Sequence, residues 1–226
     1  MAKLDSDGSF GWYLLKGNSK GKKAHMNFLG VTSCQSSAQP GGHRDSRVRA
    51  YVEGQCRATL YPKLCVQCLT SYVNSTLKTP QQLAQIALTV SLARARYTQV
   101  YVTLVAKQLN QTKARDYQAV KDCLDQINDG VDQISQSIKE LQRMGLVGEE
   151  EFGWHESNVR TWVSTALTDA TTCIDGFYGS AMDGKVKATI KAKVLNVAQL
   201  TSNALALFNR FAARHRRASG ATTHWP

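Results

Sequence analysis

The sequence predicts an all-α protein: an up-down-up-down four-helix bundle preceded by a small N-terminal helical hairpin. Three observations carry this expectation. Between Lys113 and Arg143 the apolar residues Tyr117, Val120, Leu124, Ile127, Val131, Ile134, Ile138 and Leu141 alternate spacings of three and four without a break. That is the a/d pattern of a bundle helix. Four long helical runs are joined by short breaks, which makes successive helices antiparallel neighbours. No stretch shows the period of a strand.

In chain order, residues 1–46 are rich in Gly, Ser and Lys without any period and are read as disordered. A short helical run from Arg47 to Tyr61 is broken by Pro62, which opens the next run at its first position, from Lys63 to about Leu77. Thr79-Pro80 caps a long helix whose inward face is read as Leu83, Ile86, Ala87, Val90, Ala93, Tyr97, Val100, Tyr101 and Leu104, ending near Asn110. The central helix follows at once. Gly145 to Gly153 is a break, and a third long helix, from about His155 to Cys173, turns Val159, Trp162, Val163, Ala166 and Ala170 inward. Gly176, Gly179 and Gly184 mark a loop. The fourth helix, about Lys185 to Arg214, turns Ile190, Val194, Val197, Leu205, Phe208 and Phe211 inward. The bundle domain is therefore 47–215, and 216–226 is a loose polar tail.

The central helix carries more than a seam. With its apolar residues at a and d, Cys123 falls at g, on the edge of the seam, within reach of a neighbouring helix. Asp122, Asp125, Asp129 and Asp132 fall at f, b, f and b, an acidic ladder turned away from the core. No Lys or Arg interrupts it on that face.

The chain of 226 residues has a formal net charge of +11 and 42% hydrophobic residues. That is enough apolar content for a real core. The positive charge suggests polyanionic surroundings: nucleic acid, anionic lipid or acidic polysaccharide. Its densest groups lie near the two ends (Lys20, Lys22, Lys23; Arg214, Arg216, Arg217) and carry no interleaved aromatics for base stacking. Six cysteines stand at 34, 56, 65, 68, 123 and 173. Cys65-Val-Gln-Cys68 has no second pair or His pair at zinc spacing, and no strand–helix setting for a thioredoxin-like site. Structural disulfides fit better and point to an oxidising compartment. Sequons at Asn74 and Asn110 agree with secretion. Residues 1–46 hold no signal-peptide core, only Trp12–Leu15 and Met26–Val31, so this start is read as not the natural one, and no transmembrane segment is expected.

Catalytic patterns are missing. None of the five histidines follows a Glu by three residues, as di-iron bundles require. His155-Glu156 does not extend to His-Glu-x-x-His, no P-loop occurs, and Gly17-Asn-Ser-Lys-Gly21, the one match to G-x-S-x-G, lies in the Gly-, Ser- and Lys-rich segment without the strand–turn–helix setting of a nucleophile elbow. Asp169, beside the apolar face of the third helix, is read as a hydrogen-bonded structural carboxylate. No enzyme, metal or cofactor is expected.

The stretch Cys56-Arg-Ala-Thr-Leu-Tyr-Pro-Lys-Leu-Cys65 resembles the N-terminal hairpin of plant invertase/pectin methylesterase inhibitors. Ala166-Leu-Thr-Asp-Ala-Thr-Thr-Cys173 and Asn196 to Leu207 are similar to the same family, and the resemblance spans about residues 47–215. It implies disulfides Cys56–Cys65 and Cys123–Cys173, which leaves Cys34 and Cys68 free. It implies a secreted cell-wall protein in a reversible, non-covalent one-to-one complex with its target enzyme, without membrane or nucleic-acid partners. In the pectin methylesterase branch the inhibitor covers the cleft that binds pectin. Asp125, Asp129 and Asp132 match acidic enzyme-facing positions of that branch, and Thr172 and Asp175 match those beside the third helix's cysteine. The invertase branch inserts Pro-Lys-Phe from the loop before the third helix, where this chain has Glu150-Glu151-Phe152. Pectin methylesterase inhibition therefore ranks first, acid invertase inhibition second, and a basic nucleic-acid-binding module a distant third. The positive charge adds weak retention on acidic wall polysaccharide. Arg214-His-Arg216-Arg217 resembles a processing site of pectin methylesterase precursors, but no catalytic domain follows.

Overall fold

The computed structural model describes residues 2–4, 10–12, 34, 43–72, 77, 79–111, 116–144, 149–178 and 184–222. The chain divides into two units, 1–33 and 34–226. In the first, strands β1 (Ala2–Leu4) and β2 (Phe10–Trp12) pair antiparallel, Lys3 opposite Gly11. This short pairing was not legible as a strand pattern, because three residues are too few to show an alternation.

The second unit is helical. Helices α1 (His43–Cys56) and α2 (Pro62–Leu69) form the hairpin, and α3 (Pro80–Gln111), α4 (Tyr117–Arg143), α5 (Glu149–Asp175) and α6 (Lys185–Thr222) form the bundle. Around the bundle, α4 packs on α3 and α5, and α6 packs on α3 and α5, so α4 and α6 are diagonal. The expected architecture is the observed one.

Local chemistry explains the boundaries. Thr79 and Gln82 make a capping box: the Gln82 amide donates to Thr79 Oγ1 (3.1 Å) and the Thr79 amide to Gln82 Oε1 (3.2 Å). Pro62 starts α2 at a position where a missing N–H costs nothing. Gly184 begins the last helix with φ +109°, a conformation that favours glycine. The hairpin is fixed to α6 by buried Asn203, whose side chain accepts from the Tyr61 amide (3.0 Å) and donates to the Tyr61 carbonyl (2.9 Å). Deeper in, Thr201 donates to the Val197 carbonyl, so Ser91 supplies the proton of the 2.6 Å Ser91–Thr201 bond that joins α3 to α6.

Three expectations are corrected. First, α5 starts at Glu149, through the expected break, and α6 runs on to Thr222, through the expected tail. The two extensions stabilise each other. Phe152, 5% exposed, stacks on His215 with ring centroids 3.8 Å apart, and Arg216 pairs with buried Glu156. Glycine at 153 is tolerated because the turn around it is held by that packing. Second, Val100 is exposed and Val102, Thr98 and Val105 are buried. Helix α3 is covered by α2, α4 and α6 together, so its buried stripe is wider than one seam and rotated from the one expected. Third, Cys34 is bonded to Cys68, not free, alongside the Cys56–Cys65 and Cys123–Cys173 bonds. Spacing cannot show a partner 34 residues away in a segment without periodicity. With α1 starting at His43, the ordered region reaches into the segment read as disordered.

The seam of α4 is broader than a and d. Cys123, Gly130, Ser137 and Met144, all at g, are buried. A Cβ on Gly130 would lie 3.8 Å from the Ala166 carbonyl oxygen and 3.9 Å from Asp169, ordinary contact distances. Gly130→Ala should therefore fit and add about 0.5–1 kcal/mol of helix propensity, whereas Gly130→Leu should cost about 1–3 kcal/mol by pushing α5 away. Denaturant melts of the two variants check this. Peptide mapping of unreduced protein in acid should recover a Cys34–Cys68 peptide pair, and alkylatable thiols at either position would overturn that pairing.

Candidate functional site: the outer face of α4 and α5

The face is built from two antiparallel helices fastened at both ends. At one end Cys123 and Cys173 are bonded, with Cα atoms 4.3 Å apart. At the other, the Glu140 carboxylate is 2% exposed and accepts from Asn158 Nδ2 (2.9 Å) and His155 Nδ1 (2.8 Å), with Arg143 at 3.3 Å. Burial alone would push Glu140 up. The hydrogen bonds from Asn158 and His155, with the charges of His155 and Arg143, hold it below its ordinary value.

Between these ends the ladder stands clear of the protein. Asp122, Asp125, Asp129 and Asp132 are all exposed. Asp122 accepts from Gln118 Nε2 one turn away (2.6 Å). Asp125, Asp129 and Asp132 have no hydrogen-bond or ion-pair partner among the described residues. Unpaired like charges at helical spacing cost a few tenths of a kcal/mol each, with no return inside the protein. Thr172 and Asp175, on the last turn of α5, are also exposed, flanking the bonded Cys173.

The structure adds residues that the sequence reading did not single out. Helix α5 turns outward a row of hydroxyl residues, Thr161, Ser164, Thr168 and Thr171, which leads to Thr172 and Asp175. Thr168 and Thr171 bond back to carbonyls of their own helix, so they present methyl groups and little mobile length. The i, i+3, i+4 spacing of these residues was available in the sequence, but hydroxyls carry no hydrophobic period to draw the eye. Asp169 is the second addition. It is not the hydrogen-bonded carboxylate expected: its Oδ2 is buried without a partner, as is Gln133 Oε1 on α4. Burial, and then the negative charge of Asp129, push Asp169 above its ordinary value. The ladder and this buried carboxyl are thus one electrostatic group that spans both helices.

The remaining expectations sit apart from the face. Asn110 is exposed on the last turn of α3, and Asn74 lies outside the described residues. Among the described residues no three metal-ligating side chains gather, and no helix is long and apolar enough to cross a membrane. Shallow depressions are found among the described residues. One, of about 350 Å³, lies between Tyr72 and α3, and one, of about 450 Å³, lies along the hydroxyl row at Arg160, Thr161 and Ser164. Neither gathers a nucleophile with a base.

The chain is similar to known proteins. A profile of the family described as plant invertase/pectin methylesterase inhibitor matches residues 50–207. Pectinesterase inhibitor 9 of Arabidopsis thaliana is 46% identical over 188 residues, which is 82% of this chain and 91% of that protein. Pectinesterase inhibitor 11 of the same plant is 42% identical over 186 residues, 82% of this chain and 92% of that one. A mutant form of a pectin methylesterase inhibitor from Arabidopsis, solved by crystallography, has a TM-score of 0.53 at 20% identity, over 69% of this chain and 93% of that chain, a likeness of fold.

Glu140, buried, and Asp169, half-buried, should act oppositely on acid stability. Glu140, held low, contributes stability that is complete above its unfolded value and lost as pH falls through its folded one. Asp169, held high, carries a penalty when charged, which is relieved as pH falls through its folded value. Glu140→Gln should cost about 3 kcal/mol at neutral pH, and less in acid. Asp169→Asn should raise Tm at neutral pH by about 2–4 °C, a gain that shrinks in acid. Thermal melts across pH 3–7 compare both with the parent.

Proposed function

The chain belongs to the plant invertase/pectin methylesterase inhibitor family, and from that membership we propose that it inhibits pectin methylesterase through the outer face of α4 and α5. Pectinesterase inhibitors 9 and 11, matched over 91% and 92% of their length, are named as inhibitors, and this chain is an inhibitor likewise. The complex is reversible, non-covalent and one-to-one. Asp125, Asp129, Asp132, Thr172 and Asp175 meet the enzyme where its acidic polysaccharide substrate enters. The observation that carries the reading is the ladder itself. Three exposed carboxylates stay unpaired in a chain with a net charge of +11, where cations to neutralise them are plentiful. A carboxylate stripe competes by charge with a substrate that also bears carboxylates, and the disulfide and the Glu140 network fix it in advance, which lowers the entropy cost of binding. The hydroxyl row supplies a short-chained surface beside it that orders at little cost.

Inhibition of acid invertase is the weaker reading. The segment that aligns with the Pro-Lys-Phe insertion is the first turn of α5 here, and its Phe152 is buried on His215 instead of projecting. Secretion to the cell wall is part of the proposal. Three disulfides fit an oxidising compartment, and exposed Asn110 offers a site for glycosylation.

Replacing Asp125, Asp129 and Asp132 together by Asn keeps size and removes charge. Inhibition of a plant pectin methylesterase should weaken by about 2–5 kcal/mol, mainly through faster dissociation, if the carboxylates are desolvated in the complex. At the rim, the loss is smaller and falls on the association rate and its salt dependence. Melting should be unchanged or slightly raised. Equal inhibition constants for variant and parent at low salt would remove the ladder from the interface. A parallel titration against acid invertase should show no comparable inhibition.

A further inference from the structure

The bundle separates its charges by helix pair. Every charged residue of α3 and α6 is Lys or Arg, eleven in all, whereas α4 and α5 carry eleven Asp and Glu against four Lys and Arg. Since α4 and α6 lie diagonally, the basic pair backs the acidic face from the opposite side of the bundle. The α1–α2 hairpin covers part of the basic side, near Asn203 of α6. The first turns of α6 extend beyond that point of attachment.

Two of their cations, Lys191 and Lys193, lie over aromatic rings. Lys191 Nζ lies 4.4 Å from the ring centre of Tyr178, which is 71% exposed. Lys193 Nζ lies 4.5 Å and 4.8 Å from the rings of Tyr97 and Tyr101 on α3. Lys187 is one turn before Lys191 on the same flank, and Lys185 is exposed at the helix start. Cation–π contact limits the freedom of long Lys side chains, so less entropy remains to be lost when an anion arrives.

We propose that this basic flank, Lys187 and Lys191 with Tyr178, binds a chain of uronate sugars, so that the protein holds the acidic wall polymer next to the end of α5 while the ladder on α4 faces the enzyme. The lysines pair with successive carboxylates, and the exposed ring of Tyr178 receives the C–H face of a sugar. Charge complementarity selects a polyanion, and the aromatic ring beside the lysines suits a carbohydrate backbone. The identity of the polymer rests on the enzyme assignment above, because a demethylated pectin chain is what that enzyme produces. The lysines make no part of the face assigned to the enzyme, whereas Tyr178 stands beside it, its amide donating to the Asp175 carbonyl (2.9 Å).

Oxidised full-length protein is passed over immobilised polygalacturonate, over the same polymer fully methyl-esterified, and over duplex DNA and anionic vesicles at matched charge. The expected result is retention on polygalacturonate that falls with salt, is lost on methyl esterification, and exceeds that on DNA and vesicles. Lys187→Gln and Lys191→Gln combined should weaken it about tenfold, with circular dichroism and enzyme inhibition unchanged. Tyr178→Ala should weaken it further without altering its salt slope. The triple Asn variant of the ladder, on the opposite face, should bind the polymer at least as well as the parent while losing inhibition, so the two assignments fail separately. No retention, retention indifferent to esterification, equal or stronger binding to DNA or vesicles, or full retention by the double Gln variant would each overturn the proposal.

Discussion

Close apposition of α4 and α5 is the constraint on which the acidic outer face depends. It is possible because α4 presents small side chains where α5 crosses it: Cys123, Gly130 and Ser137 recur every seven residues on the buried edge. Small residues let two backbones approach, and the two ends are then fastened by different chemistry. A covalent bond closes the Cys123 end, and in the chain-entropy model a loop of this size is worth about 3–5 kcal/mol. A fully satisfied buried carboxylate, Glu140, closes the other. Such a network holds register as well as energy, because a slip of one turn would leave a charge buried without partners.

That rigidity lets the outer face carry strain. Four aspartates along one helix repel one another, and Asp169 sits beneath Asp129 with a buried oxygen unsatisfied. A marginal helix would fray under this load. Here the cost is offset elsewhere in the bundle, and the unpaired charge remains available to a partner. Unsatisfied groups of this kind recur where a surface is shaped for binding instead of for its own stability.

The opposite side follows a related logic. All charge on α3 and α6 is positive, so the excess of +11 is a directional property of the fold as much as an average. Approach of a negatively charged polymer is steered to one side, and positively charged groups of a partner protein to the other. The extension of α6 through Phe152, Glu156 and His215 ties the end of this basic helix back onto α5. The two halves of opposite charge are thereby one cooperative unit.

Much of this was legible along the chain. The three-four spacing from Tyr117 to Leu141 determined a bundle helix, the same register put the aspartates outside, and Thr79-Pro80 and Pro62 marked helix starts, because these signals are local and need only helical geometry. What the tertiary structure decided depends on neighbours. Phe152 and His215, sixty-three positions apart, turn an apparent Gly-flanked break and a polar tail into helix by packing on each other. Cys34 finds Cys68 only in three dimensions. Val100 turns outward because three elements crowd the other sides of α3. Asp169 joins the ladder only because α5 lies across Gly130, and the lysines of α6 became a face only when α3, equally free of acidic residues, packed beside it. Sequence periodicity states which side of a helix is buried, but the partner that buries it is chosen by packing.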